Sequence, residues 1–560
     1  MRHSTGAQMP QIEVHRIPSP SSATPVPDRS VVGSKAHYLM RMARRGLSVP
    51  AAFVLATDLC RAYMAHGREA LQGLEALIAA EIEALGEATG RRWGDGKRPL
   101  LVSVRSGAPL SMPGMMETVL NVGLNRESQR GLLRMTGNPR LVQDCRRRLF
   151  AQFGEVVHGI PAGKLAAREA EILQQHAAAD CDGLDSEGLG LLAEAFEELI
   201  VAETGAALPE DPTRQLMAAI EAVLRSWSSE RARSYRKLNG VPDTLGTAVL
   251  VQTMVFGNLG PTSGSGVGFT RNPSDGSNAI YGDFLANAQG EDVVAGRRRA
   301  EDLATLQWRA PQAYAALMAA RGELEAEFKD MQDFEFTVEE GRLLLLQSRP
   351  GKRTPLAAVR IAHDLVAEGK LAPAGGLALL GDLDLDGVRD TRLELPADAV
   401  ALATGVSAGA GVAVGAAAFD PARVADLAAA GGPVILFCET AETGDIAALA
   451  EAAALVTAQG ARTAHAAVVV RQLGKPCIVG CRSLQIEASR RSGVFGAVRL
   501  GEGDPVSIDG ATGRIYAGAH AVACSRPERL IAQIRHWQAA AEAPAHKAGG
   551  AGRGAPRKGR

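Results

Sequence analysis

The sequence predicts an α/β protein of several domains, with helices and sheets mixed along most of the chain (multidomain α+β). The first observation is size: 560 residues, 46% hydrophobic and 22% charged, are enough for about three or four domains. The second is periodicity, since short β-branched runs such as residues 100–106 and 249–256 alternate with amphipathic stretches of helical spacing. Such a mixture is typical of sheets that are covered by helices.

Composition argues against several classes of function. The formal net charge is −1, so we predict neither nucleic-acid binding nor a solvating acidic tail. Seven cysteines are scattered along the chain, and the nearest pair, Cys477 and Cys481, has no partners at zinc spacing. We therefore expect reduced thiols in a cytoplasmic protein. The most apolar long stretch, residues 400–419, is broken by glycines, so we predict no membrane span.

Changes in composition divide the chain into segments. A start rich in Pro and Ser cannot build a core, and we expect it to be disordered. Alanine-rich amphipathic patterns predict a helical subdomain, and a connection rich in Gly, Pro and Asp predicts a hinge. The expected segments are a leader at 1–29, a first unit at 30–355 with the helical subdomain at about 126–240, a helical linker and hinge at 356–398, a second unit of short Ala/Gly/Val strands at 399–520, and a helix with a disordered basic tail at 521–560.

Two basic residues and a glycine-rich stretch in the first unit point to phosphate binding. Lys35 stands just before a predicted helix, and Arg105 ends the predicted strand at 100–106, where its fork fits phosphate oxygens. The alternatives are a solvated lysine and an ion-paired structural arginine. Residues 257–268 predict a flexible loop whose backbone donors are able to close over phosphates, followed by a strand at 269–272. The alternative for this loop is an ordinary glycine-rich surface hairpin.

A β-hairpin is predicted at residues 331–349. Asp333, Glu335 and Thr337 alternate onto one face of the first strand. On the return strand we expect one face to carry four residues, namely Leu343, Leu345, Gln347 and Arg349. Glu335 and Gln347 offer the hard oxygen ligands that hold Mg²⁺ against nucleotide phosphates, while Arg349 neutralises charge. The alternative is a half-exposed structural hairpin.

A single histidine is the candidate nucleophile. His465 follows a polar turn and opens an apolar run with helical character. A helix N-terminus offers free backbone N–H groups and partial positive charge, which favour a phosphoryl group. Histidine can also carry a covalent intermediate. We therefore consider His465 as a phosphoryl carrier, and the alternative is a histidine that caps a core helix.

These motifs resemble the pyruvate, phosphate dikinase family. The resemblance lies in residues 103–108, 112–116, 256–268, 287–296, 331–349 and 351–354, and it runs in family order from about residue 31 to residue 518. It implies an ATP-grasp nucleotide-binding unit with a helical insert, followed by a swivelling phosphohistidine domain. By the same resemblance Lys35, Arg105, Asp333, Glu335, Gln347 and Arg349 form the ATP and Mg²⁺ site, with Arg105 and Arg349 catalytic. His465 falls on the phosphorylated histidine of the family.

The sequence also departs from the family pattern. The turn before the histidine contains Ala461, Arg462 and Ala464 where the family usually has glycine, methionine and serine. Thr463 resembles the regulatory threonine at which a dedicated kinase switches the enzyme off. The family also places a TIM-type barrel for pyruvate and phosphoenolpyruvate after the histidine domain. A barrel needs about 250 residues, which is far more than the sequence has after residue 518. We therefore expect a separate barrel subunit.

The resemblance implies an ATP-dependent dikinase. ATP and phosphate phosphorylate His465 and give AMP and pyrophosphate, with pyruvate as the final acceptor on the barrel subunit. One alternative is a related dikinase with another acceptor, such as water, a glucan or an antibiotic. The other is a non-catalytic remnant that senses nucleotides. Phosphate dependence separates the first two readings, and labelling of the histidine separates both from the third.

Overall fold

A five-stranded antiparallel sheet forms the first layer of the first unit. The computed structural model describes residues 12–17, 25–110, 112, 116–295, 301–440, 446–460 and 465–542. The strand order is β1-β2-β7-β5-β6, and helices cover the sheet. The strands are β1 (Val14–Arg16), β2 (Ala52–Leu55), β5 (Val102–Gly107), β6 (Thr118–Val122) and β7 (Ala248–Thr253), a short parallel pair is β3 (Arg92–Trp93) with β4 (Pro99–Leu100), and the helices are α1 (Arg29–Arg44), α2 (Thr57–His66) and α3 (Leu74–Thr89).

The expectation of a disordered leader at 1–29 is wrong for part of that segment. Val14 to Arg16 form β1, which pairs antiparallel with β2. Arg16 Nε also lies 2.7 Å from Glu81 Oε2, and Glu81 is buried. The sheet edge and the buried carboxylate fix these residues despite their Pro- and Ser-rich neighbours. Residues 1–11 and 18–24 lie outside the described part of the chain.

A helical subdomain at about 126–240 is the prediction for the part of the chain between β6 and β7. Between β6 and β7 the chain is mostly helical, and buried leucines and phenylalanines of α5, α6 and α7 form a core of their own. Caps explain several boundaries, since Asn125 and Asn138 accept backbone N–H bonds at the starts of α4 and α5. The helices are α4 (Arg126–Thr136), α5 (Pro139–Gln152), α6 (Ala162–Gln175), α7 (Ser186–Thr204), α8 (Pro212–Ser226) and α9 (Glu230–Leu238).

A second antiparallel sheet contains the predicted hairpin. Its order is β10-β9-β8-β11-β12, and one face packs on α1 and α12 through the rings of Phe284, Phe334 and Phe336. The strands are β8 (Gly264–Phe269), β9 (Tyr281–Ala286), β10 (Glu301–Asp302), β11 (Gln332–Glu339) and β12 (Arg342–Pro350), with helices α10 (Gly290–Ala295), α11 (Leu306–Arg309) and α12 (Pro311–Phe328).

Strand β8 corrects the prediction of a loop at 257–268 and a strand at 269–272. Its first five residues belong to the predicted loop, and the strand is buried along its whole length. The glycines are needed because aromatic rings cover them. A Cβ atom on Gly266 would lie 2.3 Å from the Phe336 ring, and one on Gly268 would lie 2.6 Å from the Phe334 ring.

The linker is more ordered than the predicted hinge. Helix α13 (Pro355–Ala367) packs on α14 (Pro373–Leu380), and α18 (Glu528–Glu542) covers both through Ile531, Ile534 and Trp537. Strand β13 (Asp390–Glu394) pairs with β25 (Ala521–Ser525). Strand β25 and helix α18 are therefore packed against the linker of this chain. Residues 543–560 lie outside the described part of the chain.

The second unit is a mixed eight-stranded sheet with a small three-stranded sheet beside it. The strand order is β14-β24-β23-β16-β17-β18-β19-β15, and the pairs from β16 to β19 are parallel. The strands are β14 (Ala403–Thr404), β15 (Val406–Gly409), β16 (Val412–Ala418), β17 (Val434–Cys438), β18 (Ala454–Thr457), β19 (Cys477–Val479), β20 (Leu484–Glu487), β21 (Ser492–Phe495), β22 (Val498–Gly501), β23 (Pro505–Asp509) and β24 (Arg514–Ala517), with helices α15 (Val424–Ala429), α16 (Ile446–Glu451) and α17 (His465–Gln472). Among the described helices, none has the length and apolarity required to cross a bilayer.

Candidate nucleotide and phosphohistidine site

Lys35 reaches the site through a break in helix α1. Gly33 has φ of 73° inside the helix, and a Cβ atom there would lie 1.8 Å from the carbonyl oxygen of Gly107. Only glycine permits both this conformation and this approach. The contact joins α1 to the end of β5, where Ser34 N donates to Ala108 O over 3.0 Å. Lys35 therefore lies inside α1, after the break, rather than before a helix.

Arg105 bridges the two sheets of the first unit. Its Nη1 donates to Gln252 Oε1 over 3.2 Å within the first sheet, and its Nη2 lies 3.5 Å from Glu335 Oε2 on the second sheet. Gln252 is buried, whereas the side chains of Arg105 and Glu335 keep 14% and 29% of their surface exposed. The arginine is thus held in place by an amide and a carboxylate while remaining open to an anion.

The hairpin places four predicted residues on one face of the second sheet. Glu335 pairs with Gln347, and Asp333 pairs with Arg349. The expectation that Leu343 and Leu345 share this face is wrong, because a β-bulge between Glu335 and Phe336 shifts the register by one residue. The two leucines instead join the buried core on the opposite face.

Cross-strand register extends these pairs into two rows. The Glu335 row consists of Asp283, Val267, Glu335 and Gln347, and the Asp333 row consists of Tyr281, Phe269, Asp333 and Arg349. Members of one row face the same side of the sheet because side chains in register point together. The polar face of the sheet therefore carries acids, an amide and an arginine in adjacent rows.

The electrostatics of this face favour a polyanion. Arg349 Nε donates to Asp333 Oδ2 over 2.8 Å, and burial raises the pKa of Asp333 while Arg349 lowers it. Burial, with the positive charges of Arg105 and Arg349, lowers the pKa of Lys35 to about 7, although Glu335 opposes this shift. Three cations thus gather around two carboxylates, and a phosphate chain would relieve their mutual repulsion.

Glu335 and Gln347 have the donor chemistry for Mg²⁺. A carboxylate and an amide oxygen in register are hard ligands, and Gln347 is 8% exposed. The described residues contain no group of three His, Cys, Asp or Glu side chains arranged to hold a metal. Magnesium usually takes one or two protein ligands and completes its shell with water and substrate phosphates.

His465 begins helix α17, which connects the parallel strands β18 and β19. In such a crossover the helix N-terminus lies near the carboxyl end of the preceding strand, which is the usual place for ligand chemistry. Thr463, the candidate regulatory residue, lies outside the described residues.

A large cleft joins the two units. Its volume is about 1880 Å³, and its walls come from the helical subdomain, the second sheet and the turn after β18. Asp283, a member of the Glu335 row, lines this cleft. The predicted nucleotide-site residues do not line it, namely Lys35, Arg105, Asp333, Glu335, Gln347 and Arg349. Gly460, five residues before His465, also lines the cleft.

The sequence analysis missed the charged wall of the cleft. Arg148 makes a 3.0 Å contact with Asp144 and a 2.8 Å contact with Asp292, and both Arg147 and Arg148 are buried cleft residues. The helical subdomain had suggested no chemistry. The available signal was a run of arginines from Arg146 to Arg148 that includes positions on the buried side of an amphipathic helix.

Two regions of the chain match known protein families. Residues 71–309 match the family described as "Pyruvate phosphate dikinase, AMP/ATP-binding domain", and residues 431–513 match "PEP-utilising enzyme, mobile domain". Pyruvate, phosphate dikinase 1 of Arabidopsis thaliana, a chloroplastic protein, is 40% identical over 88% of this chain and 52% of its own length. The dikinases of Giardia intestinalis and Clostridium symbiosum are 41% and 40% identical over 88% of this chain, and each match covers 56% of the relative.

The chain thus spans about half the length of the curated relatives that it matches. The first matched region lies within the first unit and includes Arg105, but it includes neither Lys35 nor the hairpin at 331–349. The second matched region lies within the second unit and includes His465. The chain is therefore similar over residues 71–309 to the AMP/ATP-binding domain of pyruvate phosphate dikinases and over residues 431–513 to the mobile domain of PEP-utilising enzymes.

Proposed function

We propose that this chain carries out the ATP-dependent half of a dikinase reaction of the pyruvate, phosphate dikinase type. ATP binds the first unit, and His465 becomes phosphorylated at the expense of ATP and inorganic phosphate. The products of this half reaction are AMP and pyrophosphate. The observation that carries the proposal is the convergence of Lys35, Arg105 and Arg349 on the polar face of the second sheet.

The balance of atoms explains why phosphate is a second substrate. If the histidine keeps the β-phosphoryl group, the bond between the α- and β-phosphates breaks and AMP leaves. The bond between the β- and γ-phosphates must also break, and inorganic phosphate accepts the γ-phosphoryl group to form pyrophosphate. Both transfers spread negative charge over phosphoryl oxygens, so preorganised cations stabilise both.

The basic residues have separate tasks in this proposal. Arg105, held by Gln252 and Glu335, faces the phosphate chain from the first sheet. Arg349, aligned by Asp333, faces it from the second sheet. Lys35 adds a third positive charge when ATP binds, because an anion next to its amine favours the protonated form.

Glu335 and Gln347 would hold Mg²⁺ in this site. When bound, the ion would neutralise phosphate charge and orient the nucleotide. Asp333, the neighbouring carboxylate, is paired with Arg349. It therefore does not compete with Glu335 and Gln347 for the ion. One oxygen of Glu335 lies 3.5 Å from Arg105. This contact holds the Glu335 carboxylate close to the basic residues of the site.

The finer parts of the proposal concern partners, regulation and location. Pyruvate is the proposed final acceptor, and a separate barrel subunit that binds it stays a prediction. Phosphorylation of Thr463 by a regulatory kinase is proposed as the off switch. A cytoplasmic location is also proposed, since all seven cysteines are free thiols.

The direct test is incubation of the purified chain with β-labelled ATP and Mg²⁺, with and without inorganic phosphate. We expect acid-labile label on the protein, a requirement for phosphate in pyrophosphate release, and loss of label in His465→Ala with ATP binding retained. Label that survives in His465→Ala contradicts the assignment of the carrier. Release of inorganic phosphate in place of pyrophosphate, with no need for added phosphate, favours a dikinase that uses water.

A further inference from the structure

Arg471 is a buried arginine of the second unit that contacts the first unit. It lies on α17, six residues after His465, and is only 1% exposed. Its Nη1 donates to the carbonyl oxygen of Ala408 over 3.1 Å, which anchors the side chain within its own unit. Its Cζ atom lies 4.9 Å from the centre of the Phe269 ring, which belongs to the nucleotide-binding sheet.

The surface that receives Arg471 is the Asp333 row. Phe269 stands between Tyr281 and Asp333 in that row, and Asp333 is paired with Arg349. Tyr281 makes a second contact between the units, because its hydroxyl donates to the carbonyl oxygen of Ser407. The two contacts are adjacent in both units. In the second unit Ser407 and Ala408 are consecutive residues of β15, and in the first unit Tyr281 pairs with Phe269.

Arg471 also acts on the charges of the nucleotide site. Burial lowers the pKa of Arg471, and Tyr281 and Asp333 of the first unit oppose that shift. Arg471 is therefore part of the second unit, but it interacts electrostatically with residues of the first unit. Undocking would return it to water and leave the Asp333 row without this cation.

We propose that Arg471 is the docking contact that seats the helix of His465 on the nucleotide-binding sheet. As a positioning residue it acts through the helix. At a rise of 1.5 Å per residue, His465 lies about 9 Å along the axis from Arg471, so a fixed Arg471 fixes the start of the helix. We call the contact between Arg471 and Phe269 a latch. It is reversible, because the attraction between the guanidinium and the ring exists only while the two units are in contact.

This inference rests on the proposed function, since docking matters for catalysis only if His465 takes a phosphoryl group from bound ATP. The test uses the full chain and the variants Arg471→Met, Arg471→Lys and Tyr281→Phe. Arg490→Met is the matched control, because Arg490 is an exposed arginine of the second unit that makes a 3.8 Å contact with Glu487. Tyr281→Phe changes only the first unit and leaves the core of the second unit intact.

Four measurements separate docking from damage. We expect Arg471→Met to lower the single-turnover rate of labelling from β-labelled ATP by at least about tenfold, the scale of a desolvated cation–π contact. Tyr281→Phe should lower it less, and Arg471→Lys should restore part of it. ATP binding and direct chemical labelling of the histidine by phosphoramidate should stay within about twofold of the unchanged chain. Small-angle X-ray scattering should show a larger radius of gyration for Arg471→Met than for Arg490→Met.

Two results would overturn the inference. One is labelling of Arg471→Met from ATP at the rate of Arg490→Met. The other is an equal loss of ATP labelling and phosphoramidate labelling, which would mean that the variant damages the second unit itself. If the unchanged chain takes no label from ATP, the proposed function fails, whereas the scattering comparison still tests docking. An unchanged radius of gyration in both Arg471→Met and Tyr281→Phe would then refute the latch.

Discussion

Arg105 and Glu335 stand on different sheets, and Nη2 of the arginine lies 3.5 Å from Oε2 of the glutamate. This contact joins a polar side chain of the first sheet to one of the second. Both side chains remain partly exposed, so the pair itself contributes little to stability. The pair instead positions its two side chains, because each holds the other near Lys35. A bound phosphate chain with its metal would replace the contact between Arg105 and Glu335.

The first prediction concerns Glu335. Glu335→Ala should lower the rate of labelling from ATP by about 10²-fold or more, because a metal ligand is lost where charge accumulates. The measurement is single-turnover formation of acid-labile label. Glu323→Ala is the control, since Glu323 pairs with Arg45 on the surface at 2.8 Å and should change the rate by less than about twofold. A loss of only a few-fold in Glu335→Ala would mean that the hairpin is structural.

The second prediction concerns Thr463. A phosphate group there would add nearly two negative charges two residues before His465, and an incoming nucleotide phosphate would be repelled. Thr463→Asp should therefore lose far more labelling than Thr463→Ser, which keeps the hydroxyl. The assay is again label from β-labelled ATP, with phosphoramidate labelling to check that the histidine is still reactive. Equal rates for the two variants would argue against a switch at this residue.

The hairpin shows how far sequence reasoning reaches. Alternation of polar and aromatic residues predicted the strand that carries Asp333 and Glu335, and the structure pairs Glu335 with Gln347 as expected. The face of Leu343 and Leu345 could not be predicted, because a run of four leucines has no polar member to mark the register. Only the contact with Phe334 and Phe336 in the core decides where the bulge falls.

Strand β8 was hidden for a different reason. Glycine has low intrinsic preference for strands, so the stretch at 257–268 resembled a loop. The glycines of β8 leave room for aromatic rings of the neighbouring strands. The rings of Phe284, Phe334 and Phe336 occupy the space that side chains on β8 would need. The packed linker was equally out of reach, because the partner of β13 lies more than a hundred residues later, in β25.

The third prediction tests this glycine strand. Gly266→Val should destabilise the first unit by about 1–3 kcal/mol, the usual cost of overpacking, because the new Cβ would lie 2.3 Å from the Phe336 ring and 2.8 Å from the Asp283 carbonyl oxygen. Thermal unfolding of the full chain measures the change. The control is Gly322→Ala in α12, where a Cβ has no neighbour within 4 Å. That change should stabilise by about 0.5–1 kcal/mol through helix propensity, and equal melting temperatures of the two variants would contradict the packing model.

The fourth prediction concerns the pH dependence of ATP binding. Because the pKa of Lys35 is lowered to about 7, its amine is mostly neutral in the free protein above that pH. A bound phosphate chain favours the ammonium form, so binding above pH 7 must take up a proton. Affinity for ATP should therefore fall as pH rises through 7, by at most about tenfold per pH unit for one linked proton.

Calorimetry in two buffers of different ionisation enthalpy measures this proton uptake directly. Near pH 8 the unchanged chain should take up a substantial fraction of one proton per ATP. In Lys35→Arg the uptake should disappear, because a guanidinium stays charged throughout. Titration of the ATP phosphates affects both proteins alike and cancels in the comparison. Equal proton uptake by the two proteins would place Lys35 outside the electrostatic field of the nucleotide, and the cluster with Arg105 and Arg349 would lose its role in phosphate binding.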